Sequence, residues 1–316
     1  MARKRKGLPI HGWVAVDKPE GMTSTQVVGK VRWLFNANKA GHGGTLDPLA
    51  TGLLPVALGE ATKTVPYVMD GRKVYEMTVR WGEARDTDDR EGDVIAQSPV
   101  RPDEKAIAAI LPRFTGLIDQ VPPVYSAIKV DGQRAYDLAR ADQTVTLSAR
   151  TVRIDAIALV DSEADYSRFR IECGKGTYMR SLARDMAQAL GTVGHVHRLR
   201  RVLCGPFTET QAISLERLES LGHSARLSDG LLPVDLALES LQALLLTEAE
   251  ALRLSHGQTV SLHQIATRQP LTDLAPGATV RAMSDGRLVG LARLSEDDVR
   301  PLRILHLGDP PNPIGS

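Results

Sequence analysis

A glycine-rich loop at residues 41–52 limits the folds open to this chain more than any other segment. It reads GHGGTLDPLATG and separates two apolar stretches. Glycine allows positive φ and close approach to a ligand, and Pro48 holds the preceding Asp47 in an extended conformation. The loop therefore presents one carboxylate at a defined position, five residues after His42. The same residues are equally typical of a helix that begins at Pro48 with Asp47 as its N-cap.

The length and composition favour a globular protein of two domains. The chain has 316 residues, of which 42% are hydrophobic and 24% charged, enough for one large and one small domain with a proper core. No apolar run approaches the roughly 18 residues of a membrane span, and no apolar stretch follows the basic N-terminus as in a signal peptide. Cys173 and Cys204 are too few for a disulfide framework. We therefore expect a cytoplasmic protein with no membrane association.

The basic charge is local, although the net charge is only +1. Residues 1–40 and residues 167–201 each carry eight Lys or Arg against two Asp or Glu. Residues 202–250 carry two against eight. Local basic surface is typical of a protein that binds a polyanion, and a solvated tail and helix face are the alternative. Two basic segments around the glycine-rich loop favour RNA or DNA as the partner.

Residue periodicity places an aromatic hydroxyl and a helix near this loop. Apolar and polar residues alternate over residues 73–81, which predicts a strand with Tyr75 on its apolar face. Apolar residues at helical spacing predict a helix before the loop, capped by Ser24 or Thr25. From residue 247 onward the pattern predicts a small, mainly β domain of about 60 residues.

A second helix, predicted over residues 178–190, carries a cation in its first turn. A cation there opposes the helix dipole, so we expect Arg180 to pair with an anion. A carboxylate such as Asp47 with an arginine partner suits a nucleophile or a base better than a general acid. His195 and His197 have the spacing of one strand face, and no metal site is expected.

Several further segments, taken together, carry a resemblance to one family. They are DKPEGMTS at 17–24, the loop and its continuation to Pro55, GEATK at 59–63, KVYE at 73–76, TDDREG at 87–92, PVYSAIK at 123–129, CGKGTYMRSL at 173–182 and HRLRR at 197–201. In this order and spacing, over roughly residues 8–235, the chain resembles the TruB family of tRNA pseudouridine synthases.

The resemblance implies an α+β fold. We expect a mixed or antiparallel pseudouridine-synthase sheet with flanking helices in residues 1–240, including a thumb-like, RNA-clamping insertion at about 122–148. Interleaved Lys, Arg and Tyr residues in that segment suit RNA contacts. A PUA-like RNA-binding domain would follow at residues 245–308, and the Pro-rich residues 309–316 would form a disordered tail.

The resemblance also implies a reaction and its catalytic residues. The enzyme would flip uridine 55 out of the T loop of tRNA and isomerise it to pseudouridine. Asp47 would form a covalent adduct with the sugar or the base, Tyr75 would stack on the uracil and move the ring proton, and Arg180 would pair with Asp47. No metal and no cofactor are implied.

The expected partner is the T arm of tRNA, bound by a monomer. The substrate-binding residues implied by the resemblance are His42 against the flipped nucleotides, Tyr178 and Leu199 lining the base pocket, and Lys18. Two alternatives stay open: a non-catalytic factor that binds and refolds tRNA, and an RNA-guided enzyme acting on ribosomal RNA. An intact set of Asp47, Tyr75 and Arg180 disfavours the first alternative, and the thumb-like arm disfavours the second.

Overall fold

Two of the four β-sheets in the described residues contain most of the strands; the other two are the two-stranded pairs formed by residues 83–85 with 94–97 and by residues 129–130 with 133–134. The computed structural model describes residues 7–126, 129–130, 133–134, 147–222, 229–271 and 274–308. Most of the predicted thumb and the whole of the predicted tail lie outside the described residues. The larger sheet has ten strands and the smaller, C-terminal sheet has five, which confirms the predicted α+β fold with a small β unit at the C-terminal end.

The described residues contain nineteen strands. They are β1 (Gly12–Lys18), β2 (Ala40–His42), β3 (Thr51–Leu58), β4 (Lys73–Trp81), β5 (Glu83–Arg85), β6 (Val94–Gln97), β7 (Gly116–Gln120), β8 (Lys129–Val130), β9 (Gln133–Arg134), β10 (Arg150–Ser162), β11 (Tyr166–Cys173), β12 (Gly194–Cys204), β13 (Phe207–Thr208), β14 (Ile213–Ser214), β15 (Ala243–Leu245), β16 (Val260–Ser261), β17 (Thr279–Ser284), β18 (Arg287–Leu294) and β19 (Asp298–Ile304). The large sheet has the order β14-β1-β3-β12-β4-β11-β10-β7, with β2 beside β3 and β13 beside β12. Only the β1–β14 and β3–β12 pairs are parallel in this sheet. The small sheet has the order β15-β17-β18-β19-β16.

Seven α-helices lie in the described part of the chain. They are α1 (Ser24–Leu34), α2 (Val65–Asp70), α3 (Glu104–Ile110), α4 (Met179–Ala189), α5 (Leu215–Leu221), α6 (Glu248–Ser255) and α7 (Leu262–Ala266). The predicted cap of α1 is wrong by one residue. Thr23 is the N-cap and forms a capping box with Gln26, because the Ser24 hydroxyl bonds instead to the backbone of Leu46.

The two faces of the large sheet bury different cores. One face packs against α1 and α4 through Val27, Val31, Leu182 and Met186. The opposite face packs against the small sheet in a second core, which includes Trp13, Leu53, Phe207, Met283, Leu288 and Leu291. The small sheet is thus joined to the large one by a common hydrophobic core.

The glycine-rich loop connects β2 to β3 and contains no helix. Residues 48–49 form a turn closed by a hydrogen bond from the Ala50 N–H to the Asp47 carbonyl, 3.1 Å long. The alternative in which Asp47 caps a helix beginning at Pro48 is therefore wrong. The chain enters β3 directly after the turn, so the Asp47 side chain is not engaged in capping.

Candidate active site

The loop that carries Asp47 is fixed to the first helix. The Ser24 hydroxyl donates to the Leu46 carbonyl at 2.9 Å and accepts from the Leu46 N–H at 2.8 Å. On the other side of the loop, the Gly43 N–H donates to the Pro55 carbonyl at 2.8 Å. These backbone anchors place the Asp47 side chain at the surface of the core, where 35% of it is exposed.

Arg180, in the first turn of α4, forms an ion pair with Asp47. Its position in the helix predicted an anionic partner, and the family resemblance implied that this partner is Asp47. Its Nε lies 2.9 Å from Oδ2 of Asp47, and 6% of the arginine side chain is exposed. Its terminal nitrogens donate to the carbonyls of Thr87 (3.1 Å) and Tyr125 (2.9 Å), and Nη1 lies 3.8 Å from Oδ2 of Asp89. A buried guanidinium with this many acceptors is held in one orientation and orients the Asp47 carboxylate in turn.

One row of paired residues crosses the middle of the large sheet beside the loop. Lys18 pairs with Gly52, Gly52 with Arg201, and Arg201 with Tyr75. Directly opposite residues on neighbouring strands point to the same face. The sheet register therefore brings a lysine, an arginine and the Tyr75 phenol to one side, next to the end of the glycine-rich loop.

Tyr75 is neutral in this site. Burial raises the pKa of its hydroxyl to about 12, although the charge of Arg201 opposes the rise. The ring belongs to the same buried cluster as Leu46 and Leu199. Tyr75 therefore offers an aromatic face and a protonated hydroxyl at neutral pH.

Lys18 is buried and bonds to the backbone of two turns. Its Nζ donates to the carbonyls of Pro19 (2.9 Å), Met22 (2.6 Å) and Pro48 (3.1 Å). Burial lowers its pKa to about 8, and the nearby Asp47 carboxylate opposes that change. These contacts tie the β1 turn to the residue after Asp47, and the predicted binding of substrate by Lys18 stays a prediction.

The other predicted binding residues surround the same region. The Tyr178 N–H donates to Oε1 of Gln120 at 2.8 Å, and burial raises the pKa of the Tyr178 hydroxyl. His42 accepts a hydrogen bond at Nδ1 from the Gly44 N–H at 3.3 Å; burial and the charge of Arg201 lower its pKa, so the ring is neutral at pH 7. Leu199 is buried on β12 opposite Met77.

The part of the chain that the structure describes holds no group of three or more His, Cys, Asp or Glu side chains placed to bind a metal ion. His195 is buried in β12 with Nδ1 2.8 Å from the Glu83 carbonyl, which agrees with the interpretation of the His195–His197 spacing as part of a strand. None of the described helices is long and apolar enough to cross a membrane.

Comparison with known families decides the classification. Residues 32–179 match the model of the TruB family pseudouridylate synthase N-terminal domain. Residues 180–239 match the tRNA pseudouridylate synthase B C-terminal domain. This chain belongs to the TruB family. The small β-sheet lies beyond both matched ranges.

Relatives of this TruB chain are similar over nearly its full length. The tRNA pseudouridine synthase B of Rhodospirillum rubrum is 61% identical over 97% of this chain and 100% of its own. That of Gluconacetobacter diazotrophicus is 56% identical over 96% and 100%. Among solved structures, a chain of a Cbf5-Nop10-Gar1 complex aligns with a TM-score of 0.68 and 28% identity, over 90% of this chain and 78% of that one.

Two residues of the TruB site were missed at the level of the sequence. Asp89 lies near Arg180 in a loop whose acidic residues look like solvated turn residues. Arg201 had a detectable signal, because it stands two residues after Leu199 on the strand face that points into the core. A charged residue on the buried face of a strand is rare unless it has a defined set of partners.

Proposed function

We propose that this TruB chain isomerises uridine 55 in the T loop of tRNA to pseudouridine, with Asp47 as the nucleophile. The single observation that carries the assignment of Asp47 is its ion pair with the buried Arg180, with Nε and Oδ2 2.9 Å apart. The carboxylate is oriented on one side and open on the other, as a nucleophile that must meet a substrate requires. The names of the relatives support tRNA as the substrate.

The reaction is an isomerisation whose atoms balance without a redox partner. The bond between N1 of uracil and C1′ of ribose breaks, and a bond between C5 and C1′ forms. C5 loses a proton and N1 gains one. An adduct between the Asp47 carboxylate and the sugar or the base retains the detached fragment in the site while the uracil turns.

Tyr75 and Arg180 serve this reaction in different ways. The Tyr75 ring provides a face on which the flipped uracil stacks, which compensates part of the few kcal/mol lost on unstacking from the T loop. The Tyr75 hydroxyl is protonated at neutral pH. It can accept the proton from C5 only if it first loses its own proton or passes that proton on in the same step. Arg180 holds the Asp47 carboxylate through its ion pair.

The remaining residues bind the RNA. His42, neutral and half-buried at the start of the loop, occupies the space that the flipped nucleotide leaves, while Tyr178 and Leu199 line the base pocket. Lys18, whose Nζ donates to the Pro48 carbonyl of the loop, also contributes to substrate binding. We propose a catalytic domain at residues 1–240, followed by a PUA-like domain at residues 245–308 that contains the C-terminal sheet. This second domain extends the contact with RNA. The protein acts as a monomer in the cytoplasm.

The decisive experiment compares Asp47→Asn with the wild type on a T-arm stem-loop that carries 5-tritiated uridine. We expect the variant to release no tritium while its Kd for the RNA changes by less than about fivefold, because only the nucleophile is removed. Asp165→Asn is the matched control, since Asp165 is also paired with an arginine, at 2.6 Å, but on an exposed surface. Tritium release by Asp47→Asn would exclude Asp47 as the nucleophile.

The same assay separates the two alternative functions. A non-catalytic RNA-refolding factor would leave the uridine unchanged in the wild type as well. An RNA-guided enzyme would modify ribosomal RNA only when a guide RNA is added. The 61% identity to a tRNA pseudouridine synthase B, against 28% to the Cbf5 chain, favours tRNA.

A further inference from the structure

Arg201 is a buried cation in the middle of the large sheet. Only 1% of the residue is exposed. On β12 it stands between Gly52 of β3 and Tyr75 of β4. It therefore lies between the exit of the glycine-rich loop and Tyr75, the aromatic residue assigned to the reaction.

The guanidinium of Arg201 bonds to both arms of the loop that carries Asp47. Nη2 donates to the Gly44 carbonyl at 3.0 Å and Nη1 to the Thr45 carbonyl at 3.4 Å, just before Asp47 in the chain. Nε donates to the Leu53 carbonyl at 2.8 Å, after the loop has entered β3. One planar guanidinium thus connects the two arms of the loop.

The charge of Arg201 is balanced by dipoles rather than by a carboxylate. Within the described residues, no Asp or Glu oxygen lies within ion-pair distance of its guanidinium. The Tyr75 hydroxyl is close enough for the arginine charge to oppose the rise in its pKa. A buried cation without a counter-ion is expensive unless its hydrogen bonds are satisfied, so the loop carbonyls and the guanidinium hold each other in place.

We propose that Arg201 is a positioning residue that holds the Asp47 loop in register with Tyr75. The inference rests on the proposed function, because it concerns the relative placement of the two groups assigned to the chemistry. Lysine retains the charge of Arg201 but not its planar fork, so it cannot bond to both arms of the loop at once. The proposal therefore requires that lysine fail to replace arginine at this position.

The test compares Arg201→Lys with the wild type on the T-arm stem-loop. We expect kcat to fall about 100-fold, because a misplacement near 1 Å costs that much in an oriented reaction, and KM to stay within about threefold. In hydrogen exchange, we expect the Gly43 and Leu46 amides of the unliganded variant to exchange about tenfold faster, since their bonds anchor the loop. Arg101→Lys is the matched control. Arg101 also donates to two backbone carbonyls, those of Ser98 and Val100, but it makes no hydrogen bond to the glycine-rich loop among the bonds of the described residues.

The outcomes distinguish this inference from the proposed function. A wild type that forms no pseudouridine contradicts the proposed function, whereas an active wild type with kcat of Arg201→Lys within about threefold contradicts the inference alone. Faster exchange throughout the molecule, or a loss of kcat matched by Arg101→Lys, also contradicts it, because either result shows a general structural defect.

A second variant tests the same contact from the loop. An alanine Cβ at Gly44 would lie 3.4 Å from Nη1 of Arg201, at a backbone φ of +143° that favours glycine. The backbone strain of an alanine at this φ displaces the Gly44 carbonyl to which Arg201 bonds. We therefore expect Gly44→Ala to lower kcat with KM unchanged, and the double variant with Arg201→Lys to lose no more than the worse single variant, because both weaken one contact. Additive losses would overturn the proposal. If Arg201→Lys does not fold, Gly44→Ala alone decides the question, because a kcat within about threefold of the wild type would contradict the proposal.

Discussion

At the scale of single residues, the site is built from buried cations around one partly exposed anion. Lys18, Arg180 and Arg201 are each at most 5% exposed, and all three donate to backbone carbonyls. A buried charge is tolerated only when its hydrogen bonds are satisfied. Carbonyls of the glycine-rich loop provide acceptors for Lys18 and Arg201, so the loop conformation and these two charges depend on each other.

The depressed pKa of Lys18 predicts a pH-dependent stability. Its pKa is about 8 in the folded protein and 10.5 as a free side chain, so the unfolded state binds more protons between these values. Burial of the charged form costs stability below pH 8, and that cost disappears as the pH rises to 10.5. We expect the unfolding free energy of the wild type, relative to Lys18→Met, to increase by about 3 kcal/mol over this window.

Urea denaturation at pH 7.5, 9 and 10.5 measures this difference. Lys30→Met, which removes a half-buried lysine paired with Glu219, controls for the loss of an amine. A difference between wild type and Lys18→Met that is flat across the window would contradict the prediction.

At the scale of elements, the parallel contact between β3 and β12 depends on a glycine. Gly52 has a φ of +92°, and a Cβ there would lie 2.4 Å from the Arg201 carbonyl oxygen. The two strands pair through Arg200 with Thr51 and Arg201 with Gly52. The absence of a side chain at position 52 therefore lets β12 approach the loop closely enough for Arg201 to reach it.

We predict that Gly52→Ala lowers the free energy of unfolding by about 3 kcal/mol or more, through left-handed backbone strain and overpacking together. Gly277→Ala is the matched control, since Gly277 has a φ of +88° with open space around its Cβ position. We expect it to cost about 1 kcal/mol, from strain alone. Chemical denaturation checks both, and equal losses in the two variants would show that the close approach of β12 is unimportant.

At the scale of the whole molecule, the two sheets form one folded unit. They share the hydrophobic core around Trp13 and Leu291. At its edge, Lys63 Nζ donates to the Ile304 carbonyl at 2.9 Å, and the Glu60 carboxylate accepts from the His306 N–H at 2.9 Å. The C-terminal sheet therefore holds a set position on the face of the large sheet opposite α1 and α4.

A shared core predicts cooperative unfolding. Leu291→Ala, in the C-terminal sheet, removes a side chain that is 1% exposed and should cost about 2–5 kcal/mol. In a background of Trp33→Phe and Trp81→Phe, where Trp13 is the remaining tryptophan, we expect the fluorescence of Trp13 and the far-ultraviolet circular dichroism to shift to lower temperature together. Leu302→Ala, at a position 43% exposed, serves as the control, and a Trp13 transition unchanged by Leu291→Ala would show that the sheets unfold separately.

Local patterns in the sequence predicted the elements well where burial and propensity agree. The strand at 73–81 and the helix at 178–190 match β4 and α4 to within a residue. The cap of α1 was misplaced because the competing use of the Ser24 hydroxyl, a bond to Leu46, comes from a segment 22 residues away. The residues around Asp47 do not decide whether it caps a helix or has a free carboxylate, because they favour both conformations.

The sequence by itself determined the residue types of the site and the backbone freedom of its loop, because glycine, proline and strand alternation act over a few residues. The tertiary structure shows the contact between Arg180 and Asp47 that the family resemblance implies. It alone decided that Lys18, Gly52, Arg201 and Tyr75 form one row. Sheet register sets those contacts between residues far apart in the chain, and register is fixed by burial of whole strand faces. In this way β12 brings Arg201 to the glycine-rich loop, where it donates to the Gly44 and Thr45 carbonyls.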